Sequence, residues 1–116
     1  MTLSLERPLV LVGAGKMGGA LLSGWLANGL SPALICLRDP EPPADIARLA
    51  VREGISLNAS IRDIALRQPA VVVLAVKPQA MAGVLPDLAP LAGPDTVFLS
   101  IAAGTGLQRL QDLLGP

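Results

Sequence analysis

The chain has 116 residues, enough for one domain and too few for two. Its 9 basic and 9 acidic residues cancel, which excludes both the basic footprint of a nucleic-acid binder and a polybasic membrane patch. Hydrophobic residues make up 52% and mean hydropathy is +0.59, yet the longest clean apolar run, Ala70–Val76, falls far short of the ~20 residues that span a bilayer. Arg7 ahead of Leu9–Val12 imitates a signal peptide, but Gly13, Gly15 and Lys16 interrupt the run too early for one. The expectation is a soluble, cytoplasmic protein. The single cysteine, Cys36, forbids an internal disulfide and fits a reducing compartment. It sits in an apolar run, as a buried strand residue does. There is no His and no Tyr, which removes the commonest acid–base residues and the commonest metal ligand. Proton transfer would fall to a carboxylate, Lys16, Lys77, water or the substrate. Trp25 and Phe98 are the only aromatics, so no platform exists for stacking nucleic-acid bases.

Short apolar runs recur along the chain at Leu9–Val12, Ala33–Leu37, Ile55–Leu57, Val71–Val76 and Val97–Ile101. Each is too short for a helix, and none alternates cleanly, which suits strands buried on both faces of a parallel sheet. Segments with helical spacing lie between them. Gly15–Gly29 carries Met17, Leu21, Leu22, Trp25 and Leu26 at three- and four-residue steps. Asp45–Glu53 carries Ile46, Leu49 and Ala50. Ser60–Arg67 opens with an N-cap serine and Asp63 three residues on. Pro78–Leu91 starts with proline at the first helical position, and Pro86 and Pro90 are expected to shorten it. Gly106–Leu114 carries Leu107, Leu110, Leu113 and Leu114. Alternating βα units of this kind predict an α/β fold, a doubly wound parallel sheet with helices on both faces.

The stretch Gly13-Ala14-Gly15-Lys16-Met17-Gly18 leaves an apolar strand and opens a helix, which is the setting that gives GxGxxG its meaning. Gly13 allows the tight turn, Gly15 lets backbone approach a pyrophosphate, and Gly18 lets the helix pack closely. Amides of the first helical turn then face the phosphates, with the helix dipole adding ~0.3–1 kcal/mol. Lys16 stands beside the phosphates or is a solvated surface lysine. No Walker A lysine-serine pair follows. NAD-binding domains place an acid about 20 residues past the glycines to bond the ribose 2′-hydroxyl. Here that count lands on Arg38, followed by Asp39. Arginine pairs with a 2′-phosphate, and Asp39 opposes it if it points inward, so the sequence favours NADP(H) with NAD(H) open.

In a doubly wound sheet the ligand sits outside the carboxyl ends of the strands, where strand order reverses. The expected flanks there are the first and fourth strands. The fourth runs into Ala75-Val76-Lys77-Pro78 and the fifth into Ser100-Ile101-Ala102-Ala103-Gly104, both rich in small residues that admit a flat ring. Lys77 precedes a proline and is therefore expected extended at the rim. Its plain alternative is a charged strand end. Ser100 is either a hydrogen-bonding group near the nicotinamide or a satisfied strand-end hydroxyl.

Taken together, "VGAGKMGGALLSGWL", "AVKPQ" and "SIAAG" resemble pyrroline-5-carboxylate reductase, and the resemblance covers essentially the whole chain. It implies a Rossmann-like domain for NAD(P)H, followed in the family by a C-terminal helical domain that builds the homodimer and much of the substrate pocket. The implied reaction is the last step of proline biosynthesis, hydride transfer to the C=N carbon of 1-pyrroline-5-carboxylate. Matched by position, Gly13, Gly15, Lys16, Met17 and Gly18 form the dinucleotide turn. Ala75, Val76, Lys77 and Pro78 border the nicotinamide ribose, and Ser100, Ala102, Ala103 and Gly104 floor the nicotinamide pocket. Two departures stand out. Arg-Asp replaces the small polar residues or Asn-Arg pair often found after the second strand. The family's proline- and asparagine-bearing segment beyond the fifth βα unit is absent.

The expectation is therefore a coenzyme-binding domain spanning residues 1–116, inactive alone, with no catalytic residue of its own. A related imine, keto or hydroxy-acid reductase domain and a stand-alone dinucleotide sensor remain as alternatives. A missing second domain predicts an exposed apolar patch around Leu110, Leu113 and Leu114.

Overall fold

A computed structural model describes residues 6–100 of the chain. The first apolar run forms β1 (Leu9–Val12) over its full length, and the glycine turn delivers the chain into α1 (Lys16–Ala27). Then come β2 (Ile35–Arg38), α2 (Ala44–Glu53), β3 (Ser56–Leu57), α3 (Ile61–Leu66), β4 (Val71–Leu74), α4 (Pro78–Leu88) and β5 (Val97–Ser100). All neighbouring strands pair in parallel, in the order β3-β2-β1-β4-β5. The chain begins at the centre, walks out to β3, then crosses back to β4 and β5. Strand order thus reverses at β1 and β4, as expected.

Period-two alternation sends the side chains of each central strand to opposite faces, and each face is covered. Leu9, Leu11, Ile35, Leu37 and Val73 pack with Leu22 of α1 and with Ile46 and Ala50 of α2. On the other face Val10, Val12, Cys36, Val72 and Leu74 pack with Ile64 of α3 and with Met81, Leu85 and Leu88 of α4. Each large side chain fully buried this way contributes about 1.5–3 kcal/mol relative to exposure. Helices on both faces of a parallel sheet make the predicted doubly wound α/β fold.

Several boundaries differ from expectation. Pro32–Leu34 tighten into a 3-10 turn, so β2 starts at Ile35 rather than Ala33. β3 keeps only Ser56–Leu57, and β4 releases the chain after Leu74 instead of Val76. α4 is shortened as expected: it stops at Leu88, and Ala89–Leu91, with Pro90 inside, forms a 3-10 turn. Pro86 remains within α4, where it has no N–H to donate to the carbonyl four residues back. The Ser60 cap stands as predicted, with Asp63 N–H donating to Ser60 Oγ at 3.1 Å. β5 does alternate, against expectation: Val97 and Leu99 are exposed while Phe98 packs against the α3–α4 side. Among the described residues it is an edge strand, paired with β4. Ile101, the 106–114 segment, and with them Ala102, Ala103, Gly104 and the leucines at 110, 113 and 114, lie outside the described residues. Among the described residues, no helix is long and apolar enough to cross a membrane.

Candidate functional site

The three glycines of the turn have different reasons to be glycine. Gly13 has φ +93°, and a Cβ there would sit 3.0 Å from both the Ala75 carbonyl oxygen and Val76 Cγ1. At Gly18 a Cβ would lie 2.3 Å from the Gly13 carbonyl oxygen. That close approach is to the turn itself, a tighter constraint than the helix–strand packing the motif suggested. Gly15 differs. Its φ is −66° and ψ −163°, which any residue can adopt, and a Cβ would meet nothing within 4 Å. Neither backbone strain nor packing requires glycine there. Gly15 serves as N-cap of α1, and the space a side chain would fill is the open cleft above the turn.

Hydrogen bonds tie the turn to neighbouring strand ends. Gly13 N–H donates to the Arg38 carbonyl at 2.8 Å, and Ala75 N–H donates to the Val12 carbonyl at 2.8 Å. Asp39 adds a side-chain tie: Oδ2 accepts from Ala14 N–H at 2.8 Å and Oδ1 from Glu41 N–H at 2.9 Å. Asn58, just past β3, clamps the Asp39 backbone from the other side. Its Oδ1 accepts from Asp39 N–H and its Nδ2 donates to the Asp39 carbonyl, both at 2.8 Å. Asn58 has φ 56°, a left-handed conformation that asparagine tolerates better than most residues. Arg38 points to the opposite face from Asp39, and its Nη1 donates to the Ala59 carbonyl.

These ends open onto a cleft of about 940 Å³, within the ~300–1,000 Å³ range of small-molecule sites. Of the predicted site, Gly13, Gly15, Arg38, Ala75, Val76 and Lys77 line it. Lys16 is exposed at the start of α1, Met17 is exposed, Gly18 is buried under the turn, and Ser100 is half-buried at the end of β5. None of these four is in the cleft wall. Lys77 is extended, φ −64° and ψ 148°, as a residue before proline should be, and Pro78 holds the first position of α4.

Sequence reasoning missed the opposite wall. Gln79, Gly83 and Asp87, one turn apart along α4, face the cleft together with Ala80, Val84 and Leu88. Their four-residue spacing is present in the sequence, but nothing local to α4 says that this face meets a cleft. Asn58 was missed as well, although an asparagine directly after a short apolar run is a turn signal. Cys36 stands apart from the cleft, 1% exposed. Burial pushes its thiol pKa up, against smaller opposing pulls from the Arg67 guanidinium and a hydrogen bond with Ser56. Arg67 Nη1 donates to Cys36 Sγ at 3.2 Å.

Comparison with known proteins places this geometry. The chain is 38% identical over 109 residues to pyrroline-5-carboxylate reductase of Pseudomonas aeruginosa, covering 92% of this chain and 38% of that one. Among solved structures, a pyrroline-5-carboxylate reductase from Coxiella burnetii is similar with TM-score 0.79 and 26% identity, over 96% of this chain and 41% of that chain. Plasmodium falciparum pyrroline carboxylate reductase, a structure with NADP bound, shares the fold with TM-score 0.73 at 23% identity, over 95% and 38% of the two chains. This chain spans about two fifths of the length of the curated relatives it matches (38%, 39% and 41% for three of them). The resemblance carried by the three sequence motifs is borne out. Residues 8–104 match the model described as NADP oxidoreductase coenzyme F420-dependent, and the chain belongs to that family.

Proposed function

We propose that the chain is the coenzyme-binding domain of a pyrroline-5-carboxylate reductase, which as a whole protein reduces 1-pyrroline-5-carboxylate to L-proline with NAD(P)H. Gly15 carries the proposal. It is a glycine that neither its φ nor its packing needs, at a helix N-terminus, opening onto the cleft. A pyrophosphate explains it: backbone comes close only where no Cβ intervenes, and the first amides of α1 then meet the phosphate oxygens. Names of the similar proteins support the reaction.

NADP(H) is favoured over NAD(H). Arg38 lines the cleft, and the Ala59 carbonyl fixes one arm of its guanidinium. A planar, fixed guanidinium suits a 2′-phosphate. When bound, the coenzyme supplies the hydride. The chain's own residues hold it: amides of the turn at the pyrophosphate, Arg38 at the 2′-position, the Gly83–Val84 wall of α4 alongside, and Ala75, Val76 and Lys77 toward the nicotinamide. No residue of this chain is assigned a catalytic role. Orienting donor and acceptor is worth ~7–11 kcal/mol, and we assign it to a helical domain that carries the substrate pocket and the homo-oligomer contact. Cytoplasmic location, small-molecule substrate and absence of nucleic-acid partners belong to the same proposal.

Calorimetric titration with NADPH and NADH, checked by Trp25 fluorescence, tests it. NADPH is expected to bind more tightly, and Arg38→Ala to remove the preference. Gly15→Ser keeps a good N-cap and puts a side chain into the cradle. It is expected to weaken both coenzymes at unchanged melting temperature. Binding that survives Gly15→Ser unchanged, or no binding by the unaltered chain, overturns the proposal.

A further inference from the structure

An acid just past the second strand is ordinarily the group that reads the ribose: it accepts from a 2′-hydroxyl and repels a 2′-phosphate. Asp39 occupies that place, directly after Arg38, and the pair gives contradictory signals about the coenzyme. The structure separates them by face. Arg38 lies on the side of Cys36 and reaches the Ala59 carbonyl. Asp39, one residue on, turns to the side of Leu37 and reaches the glycine turn.

Both Asp39 oxygens are engaged by backbone amides, one from Ala14 and one from Glu41. The Ala14 amide needs that acceptor. Ala14 is 0% exposed and precedes α1, so no helical carbonyl is available to its N–H. A buried amide is ordinarily paired, and a carboxylate is the strongest acceptor a side chain offers. Asn58 holds the backbone that carries this carboxylate, gripping Asp39 N–H and C=O through two hydrogen bonds. Asn58 is itself held by its N–H to the Leu37 carbonyl at 2.7 Å. Three strand ends are thus joined in series: β3 through Asn58, β2 through Asp39, β1 through Ala14.

We infer that Asp39 is a positioning residue whose carboxylate ties the glycine turn to the end of β2 through the Ala14 amide, leaving the coenzyme's 2′-position to Arg38. The inference rests on the dinucleotide site proposed above. An acid after β2 is then compatible with NADPH: Asp39 lines the cleft, but each of its oxygens already accepts from a backbone amide. It also predicts a particular pattern of loss. Removing a reader changes the ratio of NADPH to NADH affinity. Removing a positioning residue weakens both by the same factor.

The test combines binding with amide hydrogen exchange, both on the 116-residue chain. In Asp39→Ala, exchange at Ala14 is expected to accelerate in the ligand-free protein. NADPH and NADH are each expected to weaken about tenfold, with their ratio unchanged. Asp39→Asn keeps one oxygen for Ala14, and is expected to restore most of the exchange protection and most of the affinity. Arg38→Ala is the converse: the ratio collapses while Ala14 stays protected. A shift of about tenfold in the ratio toward NADPH in Asp39→Ala or Asp39→Asn, with Ala14 still protected, overturns the inference. Should Asp39→Ala fail to fold, the ratio and the Ala14 exchange in Asp39→Asn decide. If the unaltered chain binds neither coenzyme, the proposed function falls. The exchange measurements then decide by themselves whether Asp39 holds the turn.

Discussion

β1 and β5 flank the same strand in matching register: Leu9 and Val97 both pair with Val71, and Val12 and Ser100 both pair with Leu74. Their fates differ. β1 is buried along its whole length, with a strand on each side and helices above and below. Among the described residues β5 has one neighbouring strand, and Val97 and Leu99 are 59% and 53% exposed. Pairing alone therefore does not make a strand central; coverage of both faces does. The site grows from the covered strand. A glycine turn with φ +93° and a carbonyl pressed against Gly18 needs a rigid base, and β1 provides it.

This contrast sets an order of sensitivity. Leu11→Ala, at the centre of β1, is expected to lower stability by about 2–5 kcal/mol, read from chemical denaturation. An effect under 1 kcal/mol would mean that β1 is not the base described. Gly18→Ala comes next. Its Cβ meets backbone that cannot swing aside, so overpacking of about 1–3 kcal/mol is expected, with coenzyme binding lost through displacement of the turn. Stability and binding unchanged in Gly18→Ala would remove the turn from the comparison. Leu99→Thr, on the exposed face of β5, should fall within about 0.5 kcal/mol of the unaltered chain. A loss as large as that of Leu11→Ala would show that something covers this face in solution.

The smallest effect concerns pH. The buried Cys36 thiol has a pKa raised by burial, so the folded state keeps its proton longer than the unfolded chain does. The stability this contributes is full below the ordinary thiol pKa, about 8.5, and is lost as pH rises through the higher folded value. Denaturation midpoints measured from neutral to alkaline pH should fall more steeply in the unaltered chain than in Cys36→Ala. Equal slopes would place the thiol in water.

Local signals read well wherever one period dominates. The Leu9–Val12 run became β1 residue for residue, and Ser60 capped α3. They read less well where a proline competes with an apolar run. Ala33 and Leu34 look like strand by composition, but Pro32 starts a 3-10 turn that takes them in. At β4, Ala75 and Val76 are as apolar as what precedes them, yet both leave the ladder to wall the glycine turn. In the site, the glycines and Lys77 were legible. Asn58 and the Gln79–Gly83–Asp87 row were not, because their relevance depends on which loops share a cleft.

What the amino-acid order determined alone was the βα alternation, the glycine turn and the kind of ligand it suits, since strand and helix periods and glycine's freedom are local properties. It left Asp39 as a charge of unknown direction. Only the tertiary structure decided that its partner is Ala14, 25 residues earlier in the chain. The physical reason is that a hydrogen bond needs two groups at 2.8 Å, and β2 reaches the glycine turn only because the sheet sets β1 beside it.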